Sequence, residues 1–352
     1  MSKPLDTLWY THSPVPTGLG IAVQSGRLAE AFLPFGTNIQ SLRESSEREV
    51  REAHYDHHLK NSVRHGGNIP AIWAYASGVQ TRVVGLSWSD EVQLILTTAE
   101  SGIKTVRDLK NRRFGIPKWA NVQIDFTRAQ ALRGLENALK LEGLDVSDVE
   151  LVDYPYGGTY SDDQKQHVYG SEVSLGTSRF SRRNNELIGL LRGDIDAIFL
   201  KGAHAVHLAD EFGLRVVIDT GSHPDPLIRS NNGTPRTLTL DTHLLHEHFD
   251  ASVTIVDTVL RTEQWAWANP DETRRFLARE LNTSEYWVAA AYGEDAHRRL
   301  RTTLDARSIA ALQDFTDFLH RWNFIPRRFD VRDWIDFSVL EKVIGSTSRL
   351  AV

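Results

Sequence analysis

The sequence lacks cysteine altogether, since none occurs among its 352 residues. This absence excludes disulfide bonds, thiolate metal ligands and a cysteine nucleophile from the chain as given. Long apolar segments are missing too, because no window approaches the roughly 18 apolar residues that a membrane-spanning helix needs. The N-terminal region has no basic segment followed by an apolar run, so we expect a cytoplasmic protein without a membrane span, unless a signal segment has been removed.

An excess of positive charge is also missing. Lys and Arg number 40 against 46 Asp and Glu, which gives a formal net charge of -6. Nucleic acid is therefore not an expected partner, and any site for an anion must depend on a few local cations. The partner that we expect is a small organic anion, while the oligomeric state is left open and includes a monomer.

The length and the pattern of apolar residues predict a two-lobed α/β protein. Single hydrophobic cores stop growing at about 250 to 300 residues, and short apolar runs here alternate with longer amphipathic segments, as in α/β folds. We expect residues 1–97 and 220–352 to form lobe I, with a helix-rich C-terminal part, and residues 98–219 to form lobe II. Because the chain then crosses twice between the lobes, we predict a ligand cleft and a hinge between them.

The segment around Ser13 joins a predicted strand to a predicted helix. Residues 8–10 read as the end of a strand, Pro14 and Pro16 interrupt it, and a helical pattern extends from Gly18 to Glu30. Ligands of open α/β sheets bind beyond the carboxyl ends of strands, where helix N-termini offer free N–H groups. We therefore expect Ser13, together with Thr11 and His12, to line the ligand site.

A second candidate segment contains His54 and, ten residues later, Arg64 followed by His65, Gly66 and Gly67. An arginine can present a planar fork to an oxyanion, while glycines let backbone N–H groups approach the same oxygens. An imidazole can transfer a proton at neutral pH. This combination predicts a site for a sulfinate, sulfonate, phosphonate or carboxylate.

Simpler interpretations exist for the same residues. Ser13 before a proline is typical of a turn or a helix cap, and His54 with the neighbouring His57 and His58 is also typical of a solvated surface segment. These histidines lack the sustained one-face spacing of a metal-binding helix, so we predict no metal and no cofactor.

Trp88, between two strand-like runs, either stacks on a planar ligand or fills the core. Residues 153–178 read as a long loop, which indicates a lid, a binding loop or disorder.

Two strings resemble a known fold family. Residues 107–116 and 191–197 are similar to the entry into and the exit from the second lobe of type II periplasmic-binding-protein-like proteins, in particular the nitrate, sulfonate and taurine binding group. That resemblance implies the two-lobed fold. It also implies ligand contacts from the loop that follows the strand at 115–116, where the candidates are Lys118, Trp119 and Asn121.

Within that group, the sequence resembles the hydroxybiphenyl-sulfinate desulfinase family. Pro14-Val15-Pro16 matches the tripeptide after that family's catalytic cysteine, so Ser13 stands at the nucleophile position. The resemblance implies that His54 is the active-site histidine and that Arg64 and Gly67 bind the sulfinate oxygens. It implies a hydrolase that cleaves a carbon–sulfur bond and releases sulfite.

The departures from that family limit what the resemblance implies. Serine at position 13 indicates either an engineered replacement of cysteine or an altered chemistry, because a hydroxyl is a poor nucleophile unless a base activates it. His65 stands where the family has an aromatic residue. The segment beginning at Lys201 replaces a tryptophan-rich apolar segment, so we expect a smaller or more polar substrate, with Lys201 among its contacts.

Two other functions are compatible with the sequence. One is a solute-binding protein for a sulfonate, nitrate-like or carboxylate ligand, which would require export and a transporter. The other is a relative of the thiamine-pyrimidine synthases that share this scaffold, although their iron-binding residues are not found here. The desulfinase-like enzyme is the leading hypothesis.

Overall fold

The computed structural model describes residues 5–160 and 184–350. The chain forms two compact units, the first from residues 1–89 and 232–352 and the second from residues 90–231. Each unit is built around one β-sheet. None of the helices in the described part combines the length and the apolar character that crossing a membrane requires.

The sheet of the first unit has six strands in the order β11-β4-β10-β3-β1-β2. Their bounds are β1 Thr7–His12, β2 Asn38–Ser41, β3 Ser62–Gly66, β4 Thr81–Ser87, β10 Arg236–Asp241 and β11 Thr302–Thr303. Strand β1 pairs in parallel with β2 on one side and with β3 on the other. The carboxyl ends of these three strands therefore meet at one edge of the sheet.

The sheet of the second unit has five strands in the order β7-β6-β8-β5-β9. Their bounds are β5 Gln93–Thr97, β6 Arg113–Trp119, β7 Glu150–Tyr156, β8 Ala197–Lys201 and β9 Arg215–Asp219. Strand β6 pairs in parallel with β7 and β8, while β5 is antiparallel to β8 and β9. Apolar residues such as Leu96, Ile198 and Leu208 fill its core.

Helices surround both sheets. The first unit begins with α1 Gly18–Gln24, α2 Arg27–Phe32, α3 Arg48–Asp56 and α4 Asn68–Ala76; the second unit has α5 Phe126–Leu141, α6 Asn185–Leu191, α7 Gly202–Glu211 and α8 Pro226–Arg229. The C-terminal part adds α9 Thr242–Glu247, α10 Phe249–Ala268, α11 Pro270–Leu281, α12 Glu285–Tyr292, α13 Ala306–Arg321, α14 Val331–Trp334 and α15 Ser338–Leu350. Short 3₁₀ helices cover Leu33–Phe35, Leu42–Glu44, Val106–Leu109, Val146–Asp148, Thr220–Ser222 and Ala296–Arg298.

The long helix α10 covers the sheet of the first unit because one of its faces is apolar. Ile255 and Val259, four residues apart, are fully buried in the same core as Leu8 and Val63 of the sheet. Residues with this spacing lie on one side of a helix. The burial of this face holds α10 against the strands whose ends carry the candidate site.

The mixed α/β class and most of the C-terminal helices follow the sequence pattern, but several local predictions were wrong. The helical pattern from Gly18 to Glu30 is broken into α1 and α2, because Gly26 adopts a left-handed conformation with φ of 79°. Strands β3 and β10 have no counterpart in the sequence-based prediction. The loop predicted over residues 153–178 begins inside β7, and its part from 161 onward lies outside the described residues.

A buried carboxyl group lies where α10, α1 and β11 meet. Both carboxyl oxygens of Glu263 interact with Thr302, whose N–H donates to Oε2 over 2.8 Å and whose Oγ1 lies 2.6 Å from Oε1. A Cβ atom added to Gly18 would come within 2.7 Å of Glu263 Oε1, so α1 begins in direct contact with this carboxyl. Burial raises the pKa of Glu263 from 4.5 to about 7, although the Thr302 hydrogen bonds act in the opposite direction.

The raised pKa of Glu263 makes the stability of the fold depend on pH. In the unfolded chain the carboxyl loses its proton near pH 4.5, whereas the folded protein keeps it to about pH 7. The folded state thus binds more protons between these values, so stability falls as the pH rises from 4.5 to 7, by up to about 3 kcal/mol. Glu263→Gln, which mimics the protonated form, should remove this loss and be more stable than the original protein at pH 7.

The measurement is denaturant unfolding of both proteins at several pH values. Their difference in unfolding free energy isolates Glu263 from the other titrating groups. It should be small at pH 4.5 and grow toward pH 7. A difference that does not change with pH would contradict the assignment of Glu263 as a buried, protonated carboxyl.

Candidate active site

The candidate site lies at the carboxyl ends of β1 and β3. In their parallel register Thr11 is opposite Arg64 and His12 is opposite His65, and the Ser13 N–H continues the ladder by donating to the His65 carbonyl over 3.1 Å. Side chains alternate between the two faces of a strand. Thr11 and Arg64 therefore share one face of the sheet, and His12 and His65 share the other.

Arg64 is a buried cation at the centre of this site. It is 4% exposed, and its guanidinium donates to the carbonyl of His54 over 3.2 Å, to the carbonyl of Gly67 over 2.7 Å and to the hydroxyl of Ser13 over 3.4 Å. No carboxylate forms an ion pair with it within residues 5–160 and 184–350. Burial lowers the pKa of Arg64 from 12.5 to about 10. A bound anion would supply the missing counter-charge.

Ser13 is held against the glycine pair. A Cβ atom added to Gly66 would lie 2.1 Å from the Ser13 Oγ and 2.7 Å from its Cβ. Any side chain at position 66 would thus displace the hydroxyl. In the described part of the chain, Arg64 is the only side chain that hydrogen bonds to the Ser13 hydroxyl, so no base within hydrogen-bond distance is present to activate it.

Gly67 offers a backbone donor beside Arg64. It precedes α4, and Asn232 accepts the next two N–H groups, those of Asn68 and Ile69, both over 3.0 Å. The Gly67 N–H itself makes no hydrogen bond to the residues that the structure describes. A Cβ atom at this position would come within 2.6 Å of the Asn232 side chain, so only glycine fits here without a rearrangement.

His54 lies on α3 with its ring fixed by Thr11. The ring Nδ1 is 2.6 Å from the Thr11 hydroxyl, and His54 is 5% exposed. Burial, followed by the charges of Arg64 and Arg43, lowers the pKa of His54 well below its usual value. The imidazole is therefore neutral at neutral pH, with Nε2 as the ring nitrogen that Thr11 does not engage.

The other two histidines of the motif are engaged on the opposite face of the sheet. His12 Nδ1 lies 2.6 Å from Glu280 Oε1, and Gln24 donates to the second oxygen of that carboxylate over 2.8 Å. His65 Nε2 lies 2.9 Å from the Ser87 hydroxyl, and burial lowers the pKa of His65 to about 3. Both rings belong to the packed interior next to the site.

The candidates in the second unit have varied surroundings. The Lys118 side chain is largely exposed and pairs with Asp153 over 2.6 Å, whereas the buried Trp119 stacks on Tyr156 with ring centroids 4.9 Å apart. Lys201 pairs over 2.5 Å with the buried Glu91. Asn121 is exposed. In the first unit, Trp88 is half-buried.

The structure thus brings the Ser13 hydroxyl, the Arg64 fork and Gly67 into one group, while the His54 ring bonds to Thr11 and only its carbonyl touches Arg64.

Two further residues near this group escaped the sequence-based search. Glu280 is 268 residues from its partner His12 and gives no local signal. Arg43 influences His54 from the end of β2, and its place after a weak strand was the signal that could have identified it.

The comparisons with known proteins agree with the motifs. No protein-family model matches the chain. The chain is 24% identical over 351 residues to the 2'-hydroxybiphenyl-2-sulfinate desulfinase of Rhodococcus erythropolis. The alignment covers 94% of this chain and 91% of that relative. The protein of the same name from Rhodococcus qingshengii gives the same values.

Solved structures show the same fold. A cysteine-to-serine mutant of the desulfurization enzyme DszB, in complex with biphenyl-2-sulfinic acid, aligns with a TM-score of 0.74 at 23% identity, covering 97% of this chain and 99% of that chain. The periplasmic aliphatic sulphonate binding protein SsuA of Escherichia coli aligns with a TM-score of 0.64 at 18% identity, covering 94% of this chain and 97% of that chain. The resemblance inferred from the sequence is therefore confirmed: the chain has the periplasmic-binding-protein-like fold of these proteins and is similar over nearly its whole length to the desulfinase.

Proposed function

We propose that this protein is a desulfinase-like enzyme that binds a small organic sulfinate and cleaves its carbon–sulfur bond. The observation that carries the proposal is the buried guanidinium of Arg64 without a carboxylate partner in the described chain. An uncompensated buried charge is unfavourable, and a sulfinate placed here could accept from Arg64, from the Ser13 hydroxyl and from the Gly67 N–H. The ligand would thereby supply the negative charge that the described residues around Arg64 do not.

The known relatives support the same ligand class. The relatives that are similar in sequence are named as sulfinate desulfinases. One structural neighbour is named as a sulphonate binding protein. Sulfinates and sulfonates both carry oxygen atoms on sulfur that share a negative charge. A planar guanidinium fork suits two such oxygens.

The reaction that we infer is hydrolysis of the carbon–sulfur bond. An organic sulfinate and one water molecule would give the parent hydrocarbon and hydrogen sulfite, so that carbon gains the proton and sulfur gains the hydroxyl group. Residue 13 would engage the sulfur, Arg64 and Gly67 would stabilise charge on the oxygens, and His54 would assist the proton transfer to carbon. The class of enzyme would be a hydrolase that acts on carbon–sulfur bonds.

The Ser13 hydroxyl favours a second candidate function, the binding of an organic anion without cleavage. A serine needs an adjacent base to become a nucleophile, and the described residues place none within hydrogen-bond distance of its oxygen. Incubation with a panel of aryl sulfinates, followed by a sulfite assay, separates the two functions. Release of sulfite supports the enzyme, whereas stabilisation by the sulfinates without sulfite release supports the binding protein.

Replacement of Arg64 tests the anion site under both candidate functions. Arg64→Gln should weaken the binding of benzenesulfinate or benzenesulfonate at least about 30-fold, because the loss of one partner of a buried charge pair costs about 2 kcal/mol or more. The measurement is the ligand-induced rise in melting temperature. Arg64→Lys keeps the charge without the fork and should give an intermediate rise. An unchanged rise in folded Arg64→Gln would remove Arg64 from the site.

Replacement of His54 separates binding from proton transfer. His54→Ala should bind the sulfinate with an affinity close to that of the original protein, but release sulfite at least about 100-fold more slowly, as expected for the loss of a general acid. Thr11→Val, which removes the hydroxyl that orients the ring, should give a smaller loss in the same direction. Sulfite release that survives in His54→Ala would exclude His54 from the chemistry.

Substitution of cysteine at position 13 tests the nucleophile. A thiol with a pKa near 8.5 is partly ionised at neutral pH, and the guanidinium of Arg64 should favour the thiolate. Ser13→Cys should therefore raise sulfite release at least about tenfold. Ser13→Ala is the matched control and should release no sulfite. Equal activity in all three proteins would mean that residue 13 is not the nucleophile.

A further inference from the structure

A second arginine lies at the same edge of the sheet as Arg64. Strand β2 pairs in parallel with β1 up to Tyr10 opposite Ser41, and Arg43 follows two residues later in the 3₁₀ helix Leu42–Glu44. Strand β1 lies between β2 and β3. The carboxyl ends of the three parallel strands therefore present Arg43 on one side of Ser13 and Arg64 on the other.

Arg43 has no polar or aromatic partner in the described part of the chain. It is half-buried, yet it makes no hydrogen bond, ion pair or ring contact with residues 5–160 or 184–350. The 3₁₀ helix that carries it packs against α3, the helix that carries His54. Arg48 on α3, in contrast, pairs with Glu52 over 2.7 Å.

The surroundings of Arg43 are basic on the side of the site. The charges of both Arg64 and Arg43 lower the pKa of His54, in agreement with the packing of the 3₁₀ helix Leu42–Glu44 against α3. The charges of His57 and His12 act on His54 in the same direction, and the carboxylate Glu280 is already bonded to His12 and Gln24. The neighbouring Glu44 is exposed.

We propose that Arg43 is a specificity-determining residue, and that the ligand of this protein carries a second anionic group, such as a carboxylate, in addition to its sulfinate or sulfonate. This inference rests on the proposed function, because it assumes that Arg64 binds the first group. The sulfinate end would occupy Arg64, Ser13 and Gly67, and the second acid would reach past His54 to Arg43. A ligand with two acidic groups balances both arginines, whereas a ligand with one leaves Arg43 unpaired.

The expected gain in affinity is moderate. Arg43 is partly exposed, so solvent and salt screen its charge. A charge-assisted hydrogen bond in such a place contributes about 1.5 kcal/mol, which corresponds to about tenfold in the dissociation constant.

The test compares benzenesulfonate with the three isomers of sulfobenzoate, which add one carboxylate at different positions on the ring. Sulfonates allow binding to be measured by calorimetry without turnover. In the original protein at least one isomer should bind about tenfold more tightly than benzenesulfonate. In Arg43→Gln this preference should disappear, while the affinity for benzenesulfonate should stay nearly the same.

Arg48→Gln is the matched control, because Arg48 is an exposed arginine on α3 and its loss changes the net charge equally. This variant should keep the preference for sulfobenzoate. The same preference in Arg43→Gln as in the original protein, or its loss in Arg48→Gln as well, would overturn the assignment of Arg43.

The outcome is distinguishable from a failure of the proposed function. If Arg64→Gln binds benzenesulfonate as well as the original protein does, the anion site itself is misassigned. If Arg64 is needed for benzenesulfonate but no sulfobenzoate isomer is preferred, the anion site stands and the second acidic group is refuted.

Discussion

The candidate site depends on one buried charge that the described chain does not neutralise. The Arg64 guanidinium is held by the carbonyls of His54 and Gly67 and by the Ser13 hydroxyl, all of which are neutral groups. These contacts fix its position but leave its charge unbalanced in a place where solvent screens it poorly. On the proposed function, an anion bound at Arg64 would recover part of the free energy needed to bury this charge, which would tie the ligand class to the fold.

The sheet supplies the geometry around that charge. Because β2, β1 and β3 are parallel neighbours, the residues that follow them meet at one edge, as in other open α/β sheets that bind ligands there. Close approach then requires residues without side chains. Gly66 lies against Ser13 and Gly67 lies against Asn232, so the two glycines let the hydroxyl, the backbone N–H and the guanidinium converge.

The part of the candidate site that could be predicted from the sequence consists of residues that lie close together in short segments. Ser13, Arg64 and the glycine pair were named as candidates from their local chemistry together with the resemblance of the flanking residues to the desulfinase family, and the α/β class followed from the alternation of apolar runs. Strand β3 escaped because it buries Arg64 and His65, polar residues that hide the usual strand pattern. The Thr11–His54 and His12–Glu280 bonds join residues 43 and 268 positions apart, and such pairs depend on strand register and packing that no local spacing encodes.

On the proposed function, anion binding and proton transfer are coupled through His54. Burial and, after it, the charges of Arg64 and Arg43 lower the pKa of His54, so the ring is neutral. An anion held at Arg64 would offset that positive charge and raise the pKa of the ring, while the larger effect of burial would remain. Thr11 engages Nδ1, so Nε2 is the ring nitrogen that this proposal assigns to proton exchange with the substrate. On this proposal, the binding of the oxyanion at Arg64 also raises the proton affinity of the imidazole, so that substrate binding and proton transfer are coupled.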